Sequence, residues 1–275
     1  MLSFDFDYYK PATLREAIDI YQYESQLNKQ PIFISGGTEL ITLGRLNIVY
    51  TNAVIDLKGI VEGKEMGFSG EYLALGSTLT LSQIEEANFF PLLTKTSSGI
   101  ADHTARRKIT LGGNICAQIF YREAVLPFLL ADSQVVIFGS EGLRILPINE
   151  IFMEQLLLNK GEFLVQLATE KRFIEAPFYT VKRRQQWDTG YPLITVAALR
   201  IDNHVRVALS GLCPFPFRSK QVEAALNQRN FSKEGRVEQA LSVLPTPILT
   251  DIEGSKEYRL FVLQNVLLDA LDALT

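Results

Sequence analysis

A chain of 275 residues with 47% hydrophobic residues can bury a substantial core, either as one large domain or as two smaller ones. Its formal net charge of −4, from 27 basic and 31 acidic residues, gives no long-range attraction for nucleic acid or an anionic membrane, so we expect neither as a partner. The two cysteines and two histidines show no zinc-ligand spacing, and we predict no metal site or iron–sulfur cluster on this chain.

The amino-terminal part of the chain, residues 1–57, is predicted to be a small α/β unit. Its first residues lack the basic and then apolar pattern of a secretory signal, which favours a cytoplasmic location. Thr13 and Glu16 have capping-box spacing and precede an amphipathic helix. A strand beginning at Pro31 should end at the first diglycine turn, residues 35–39, and a second buried strand should follow at residues 53–57.

The middle of the chain reads as a second α/β portion. A helix is predicted near residues 82–87, where Ser82 and Glu85 again have capping-box spacing. The second diglycine turn, residues 110–114, should follow a helical stretch, and a further helix at 124–131 should carry Pro127 in its first turn or at a kink. Strands are predicted at residues 72–76, 135–138, 144–148 and 163–167.

The pattern changes near residues 169–176, where a charged stretch precedes long β-rich runs. An antiparallel meander is predicted, with Asp202 and Asn203 in a tight hairpin turn, and its strands are residues 179–183, 192–201 and 205–212. Two or three helices should close the chain. The last helix carries an apolar stripe, which favours a core-facing surface over a dedicated partner helix.

The two diglycine motifs are the main chemical signal in the sequence. Glycine lets a ligand approach the backbone closely, so two such motifs that converge would offer amide donors to a diphosphate. The first motif is neither a Walker loop nor the three-glycine dinucleotide fingerprint, because the required lysine, hydroxyl and glycine spacing are missing. Taken singly, each motif is also consistent with a plain tight turn.

These motifs occur in an order that resembles the flavin-binding medium subunit of the molybdenum hydroxylases, the group of xanthine dehydrogenase and aerobic carbon monoxide dehydrogenase. The opening segment at residues 6–17 and the loops Ser35–Leu40 and Thr110–Ile115 resemble that family. The similarity continues through 178–182, Asp188, 208–218 and 254–259, and therefore covers nearly the whole chain.

The resemblance implies an α+β protein with a two-part FAD-binding domain of the vanillyl-alcohol oxidase (PCMH) type at residues 1–172. Its subdomains would be about 1–57 and 58–172, and a carboxy-terminal domain with a three-stranded antiparallel sheet and helices would occupy residues 173–275. Backbone amides of the two loops would hold the FAD diphosphate, with side-chain hydrogen bonds from Thr38 and Asn114. The implied cofactor-binding residues in the loops are Ile34, Ser35, Gly36, Gly37, Thr38, Glu39, Leu40, Thr110, Gly112, Gly113 and Asn114.

The resemblance implies a cofactor-binding role for three further residues, and each role has a competing interpretation or a weakness. Arg106 matches a family arginine in position, although a surface role for one of Arg106, Arg107 and Lys108 fits as well. Lys182 matches a lysine near the flavin ring, where a cation would stabilise the anionic reduced flavin, but it also fits a plain strand end. Glu123 is the nearest carboxylate to a family aspartate that contacts the adenosine portion of FAD, at a shifted offset, and it is assigned ribose binding as a hypothesis.

The resemblance implies an electron relay in which no catalytic protein residue is needed. Substrate would be oxidised at molybdopterin on a large subunit, and electrons would pass through two [2Fe-2S] clusters on a small subunit to FAD here, then to NAD⁺ or oxygen. His103, which lacks a carboxylate or nucleophile at fixed spacing, is interpreted as structural. The alternatives are a non-catalytic assembly subunit with weak or no flavin binding and, ranked last, a stand-alone flavin reductase of the cell-wall precursor type.

Overall fold

Three sheets organise the computed structural model, which describes residues 4–184 and 190–275. The strands are β1 (Asp7–Tyr9), β2 (Pro31–Ile34), β3 (Ala53–Asp56), β4 (Met66–Ser69), β5 (Tyr72–Gly76), β6 (Gln134–Gly139), β7 (Gly142–Pro147), β8 (Phe163–Glu170), β9 (Phe178–Arg183), β10 (Ile194–Ile201), β11 (His204–Ser210) and β12 (Phe217–Arg218). The helices are α1 (Leu14–Gln26), α2 (Thr38–Arg45), α3 (Leu81–Ala87), α4 (Pro91–Ser98), α5 (His103–Arg106), α6 (Leu111–Ile115), α7 (Leu126–Leu130), α8 (Ile148–Ile151), α9 (Lys171–Ile174), α10 (Lys220–Leu226), α11 (Lys233–Ser242) and α12 (Lys256–Leu274). This mixture confirms the predicted α+β class.

A parallel sheet of order β1–β3–β2 opens the chain. Parallel neighbours need crossover connections, and α1 and α2 supply them. The side chain of Thr13 accepts a hydrogen bond from the backbone N–H of Glu16, so the first helix begins where the capping-box spacing predicts. Ala17 of α1 and Ile55 of β3 belong to one buried cluster with Phe163 of β8, which joins this unit to the next sheet.

The second sheet is antiparallel and has the order β4–β5–β8–β6–β7. Alternate residues of β6 face opposite sides, as the strand period requires. Val136 joins the cluster shared with α1, whereas Val135 and Ile137 join the largest core, which also contains Phe128 of α7. The sheet is therefore a buried layer between the amino-terminal unit and the helices that follow it in sequence.

Two predicted helix starts in this region had different outcomes. The predicted cap at Ser82 is wrong, because Thr80 and Gln83 form the capping box of α3. Ser82 lies in the first turn and is buried, so it is not positioned to cap the helix. Pro127 lies in the first turn of α7, as predicted, where a missing backbone N–H breaks no intrahelical hydrogen bond.

The third sheet contains the predicted meander of β9, β10 and β11, with the two-residue β12 added at the edge of β11. Asp202 and Asn203 have φ values of 48° and 64°, as a two-residue hairpin turn of type I′ requires. Both faces of this sheet are buried. Ala197 and Ala208 pack in the core of the preceding helices, and Val196 packs in a second core with the closing helices.

Three helices close the chain, and the last of them confirms the predicted core-facing stripe. Leu260 of α12 is half-buried. The remaining predicted positions are buried in the carboxy-terminal core, namely Leu263, Val266, Leu267, Ala270 and Leu271. This core covers one face of the third sheet. The opposite face packs against the preceding part of the protein, and the candidate site lies on that side.

Candidate functional site

The first glycine motif lies between a strand and a helix. β2 ends at Ile34, and Gly37 adopts the left-handed conformation, with φ of 70°, immediately before α2. Residues other than glycine rarely adopt this conformation without cost, which explains the glycine at this position. Among residues 4–184 and 190–275, no side chain caps α2. Its first amides are therefore available to an anionic group at the positive end of the helix dipole.

The second glycine motif was predicted as a turn, and this prediction is wrong. Gly112 and Gly113 lie inside α6, whose first residue is Leu111. Thr110 caps the helix by accepting a hydrogen bond from the N–H of Gly113 at 3.3 Å. A Cβ atom at Gly112 would lie 2.6 Å from the Cβ of Ser77, so this glycine permits close packing rather than a reversal of the chain.

The structure brings the two motifs into direct contact. The N–H of Gly36 donates to Oγ1 of Thr110 at 3.3 Å, across 74 residues of sequence. A Cβ at Gly36 would lie only 2.1 Å from the carbonyl oxygen of Lys108, so no other residue fits here without displacing the backbone. The two loops thus form one continuous backbone surface.

A buried hydroxyl lies in the first motif without a partner. Ser35 Oγ has no hydrogen-bond partner among the residues that the structure describes. A buried hydroxyl that stays unpaired costs free energy, so a ligand that supplies the missing hydrogen bond is favoured. The unpaired hydroxyl lies directly beside the contact between the two motifs.

Two predicted site side chains hold the loops together. The carboxylate of Glu39, in the first turn of α2, accepts hydrogen bonds from the backbone N–H groups of Gln118 and Ile119 at 3.0 Å. Oδ1 of Asn114 accepts from the N–H of Ala124 at 3.2 Å. These bonds fix the chain that leaves α6 against both α2 and the 3-10 turn Glu123–Val125.

Glu123 and Lys182, predicted separately, form a buried ion pair. Lys182 Nζ lies 2.7 Å from Oε1 of Glu123, and the two side chains are 11% and 2% exposed. Thr195 also donates to Oε1, at 2.8 Å, and Lys182 donates to the carbonyl of Gly99 at 2.6 Å. Burial lowers the pKa of Lys182, and the charge of Glu123 opposes this shift without cancelling it.

This pairing changes the interpretation of both residues. The carboxylate of Glu123 is covered by protein and already engaged, so it has no surface to offer a ribose hydroxyl, and the structure gives no support to that role. Lys182 is nearly buried, and the plain strand-end interpretation does not describe it. Since Lys182 lies on β9 and Glu123 in the amino-terminal part, the pair fastens the third sheet beside the two glycine motifs.

Arg106 is also internal, which contradicts the alternative of a surface role for this residue. Its Nε lies 3.1 Å from Oε2 of Glu85, and its Nη1 donates to the carbonyls of Ile100 and Ala101. Arg106 therefore orders the segment that leads into the second motif.

Sequence reasoning missed two groups, one of them near the first motif. Tyr8, Asp56 and Lys58 form a network at the end of the parallel sheet. The sequence carried a signal for this group, because an acidic residue that ends a buried parallel strand lies at the same sheet edge as the neighbouring strand end. The second group, a stack of Tyr121 on Tyr191 with ring centres 4.6 Å apart, joins distant segments and had no local signal. Asp188 lies outside the described residues.

The chain is similar to known protein families, curated proteins and solved structures. The family described as "FAD binding domain in molybdopterin dehydrogenase" matches residues 4–168, and the "CO dehydrogenase flavoprotein C-terminal domain" matches residues 178–274. The xanthine dehydrogenase FAD-binding subunit of Escherichia coli O157:H7 is 27% identical over 96% of this chain and 94% of its own length. The carbon monoxide dehydrogenase medium chain of Hydrogenophaga pseudoflava is 22% identical over 98% of this chain and 96% of its own.

Solved structures share the fold over almost the whole chain. Carbon monoxide dehydrogenase from Hydrogenophaga pseudoflava, in a form lacking the Mo-pyranopterin moiety, matches with a TM-score of 0.88 at 21% identity, covering 99% of this chain and 98% of the other. Quinoline 2-oxidoreductase from Pseudomonas putida 86 matches with a TM-score of 0.83 at 22% identity, covering 98% and 96%. Within residues 4–184 and 190–275, no helix has the length and apolar character needed to cross a bilayer.

Proposed function

The chain belongs to the FAD-binding medium subunits of the molybdenum hydroxylases, and from this premise we propose that it passes electrons from [2Fe-2S] clusters on a partner subunit to NAD⁺ or oxygen. Its fold is that of the family, a two-part FAD-binding domain of the PCMH type followed by the flavoprotein carboxy-terminal domain. FAD, when bound, supplies the electron transfer, and the protein supplies binding, orientation and electrostatics.

The observation that carries the proposal is the contact between Gly36 and Thr110. It joins the uncapped start of α2 to the second motif, beside the unpaired hydroxyl of Ser35. A diphosphate is bound by backbone donors at a helix N-terminus and by close approach of the chain, and these residues provide both, with the buried, unpaired hydroxyl of Ser35 beside them. The residues present therefore fit FAD.

In this proposal the loops divide the work of binding. Backbone N–H groups of the first motif that follow Gly36 donate to the diphosphate. The N–H groups of residues 111–114 are already bonded within the protein, so the second motif limits the site on the other side by close packing. Thr38 and Asn114 add side-chain hydrogen bonds, with Asn114 held in place by the N–H of Ala124. The proposed contact set in the loops is Ile34, Ser35, Gly36, Gly37, Thr38, Glu39, Leu40, Thr110, Gly112, Gly113 and Asn114.

Lys182 places a positive charge at the junction of the two parts of the chain. The ion pair with Glu123 holds its ammonium in position, and the Glu123 carboxylate partly neutralises it. A held cation beside the flavin would favour the reduced, anionic state. We therefore keep Lys182 as a candidate residue near the flavin ring and assign Arg106 and Glu123 to support of the site.

The proposed partners are a small [2Fe-2S] subunit and a large molybdopterin subunit, since one curated relative is named a medium chain and another an FAD-binding subunit. A xanthine dehydrogenase-like complex is the proposed assignment, supported by the name of the Escherichia coli relative. Relatives named for carbon monoxide and caffeine also match. In this proposal the large molybdopterin subunit, and not this chain, determines the substrate of the complex.

We further propose a domain division at residues 172 and 173, with subdomains at about 1–57 and 58–172. The two matched families end at 168 and begin at 178, which supports this division. A cytoplasmic location is proposed from the two free cysteines, Cys116 and Cys213.

The test begins with the purified chain mixed with FAD and then desalted. We expect retained flavin near one equivalent, identified as FAD by chromatography after heat release. Anaerobic NADH should then bleach the flavin absorbance if NAD⁺ is the acceptor. If NADH does not react, and flavin reduced anaerobically with dithionite is rapidly reoxidised by air, the acceptor is oxygen.

The alternative function gives a different result. An assembly subunit that binds no flavin would stay colourless after desalting, alone and when co-purified with its partner subunits. That outcome would contradict the electron-transfer proposal.

A further inference from the structure

Three side chains beneath the first glycine motif are not used by the proposed function. They are Tyr8 of β1, Asp56 at the end of β3, and Lys58 in the 3-10 turn Leu57–Gly59. Asp56 pairs in register with Ile34, the last residue of β2. The parallel arrangement therefore brings the three side chains to the sheet edge from which the glycine loop departs.

The carboxylate of Asp56 is the centre of this network. Tyr8 donates its hydroxyl hydrogen to Oδ2 at 2.5 Å, and Lys58 contacts Oδ1 through Nζ at 2.9 Å and through its backbone N–H at 3.0 Å. The Asp56 side chain is only 4% exposed. Burial raises the pKa of Asp56, but hydrogen bonds from Tyr8 and Lys58 lower it further than burial raises it. The ionised carboxylate thus fixes the lysine ammonium.

The fixed ammonium reaches the glycine loop. Lys58 Nζ donates to the carbonyl oxygen of Ser35 at 2.5 Å. The N–H of Gly36, on the other edge of the same peptide group, donates to Oγ1 of Thr110. In a trans peptide the carbonyl and the N–H point in opposite directions, so this one peptide is held from both sides.

We propose that Lys58, held by Asp56 and Tyr8, is a positioning residue that fixes the Ser35–Gly36 peptide and thereby orients the amides that receive the FAD diphosphate. This inference rests on the proposed FAD site. Lys58 acts through the Ser35 carbonyl rather than by touching the cofactor. Without it, one edge of the peptide is free to rotate, and the N–H groups that follow at Gly37 and Thr38 lose their fixed direction.

To test this, FAD is titrated into the wild type, Lys58→Met and Lys58→Arg. Binding is measured by the quenching of FAD fluorescence. Lys64→Met is the matched control, since Lys64 is an exposed lysine in the neighbouring 3-10 turn. Loss of a charged hydrogen bond should raise the dissociation constant of Lys58→Met about 10- to 100-fold. Lys64→Met should match the wild type, and Lys58→Arg, which keeps a cationic donor, should recover most of the loss.

A second variant guards against a folding artefact. Tyr8→Phe removes one exposed hydroxyl from the network and should weaken FAD binding about threefold to tenfold without lowering the thermal midpoint of the apoprotein by more than about 2 °C. Equal affinities of Lys58→Met, Tyr8→Phe and the wild type, or no recovery in Lys58→Arg, would overturn the inference alone. Failure of the wild type to bind FAD would instead remove the proposed function and this inference with it.

Discussion

Replacing Lys182 by Met should destabilise the protein strongly, because it leaves the carboxylate of Glu123 buried without its cation. At 2.7 Å and an effective dielectric constant of about 20, the direct attraction is about 6 kcal/mol. Desolvation offsets part of that attraction in the intact pair, whereas removing one partner exposes the full penalty. With Glu123 only 2% exposed, we expect a loss of about 3–5 kcal/mol in the free energy of unfolding.

Urea unfolding followed by intrinsic fluorescence measures this loss. The double variant Glu123→Gln/Lys182→Met replaces both charges and should recover much of it, because no ion is then buried alone. Lys160→Met, at an exposed turn, is the matched control and should change the free energy of unfolding by less than about 0.5 kcal/mol. A loss below about 1 kcal/mol in Lys182→Met, or strictly additive effects in the double variant, would refute the argument.

The remaining predictions concern the loops and the ion pairs between the two parts of the chain. Gly36→Ala should abolish FAD retention after desalting, because its Cβ would lie 2.1 Å from a backbone oxygen, whereas Gly67→Ala, with open space around its Cβ, should retain FAD. Burial raises the pKa of Asp132, but Arg218 and Arg206 lower it further, so the ionised form is favoured by folding. A lowered carboxyl pKa gives stability that is present above the unfolded value of about 3.9 and is lost as pH falls through the folded value. Asp132→Asn should therefore cost about 1–2 kcal/mol in urea unfolding at pH 7, allowing for its partial exposure. The difference should shrink as the pH falls below the unfolded value of about 3.9, and a constant difference across pH would contradict this.

Elements with local signals could be predicted from the sequence. Thr13 and Glu16 located α1, because capping is decided within one turn of helix. Asp202 and Asn203 located the hairpin between β10 and β11, since both tolerate the positive φ that the turn imposes. The apolar stripe of α12 identified its buried face.

Features decided by packing could not be predicted in this way. A diglycine pair indicates a turn by local propensity, yet Thr110 caps a helix at the second motif and Ser77 requires a glycine against it. Local spacing favoured Ser82 as a cap, but the fold buries that residue and leaves Thr80 to cap α3.

The candidate site likewise contains features with a local sequence signal and features that packing decides. The glycine motifs were visible in sequence because glycine itself carries the signal. The pairing of Glu123 with Lys182 and the network of Asp56 with Lys58 join different strands and loops, and their partners are set by sheet register and domain contact. Sequence reasoning gave Glu123 a ligand role because it had no means of locating Lys182 beside it.

A crystal structure of the chain with FAD tests the central claim most directly, since it locates the diphosphate. We expect phosphate oxygens within hydrogen-bond distance of the backbone N–H groups of residues 35–39, with residues 110–114 on the other side of the diphosphate and the Ser35 hydroxyl no longer unpaired. A diphosphate bound elsewhere on the protein, with both glycine motifs left free, would contradict it.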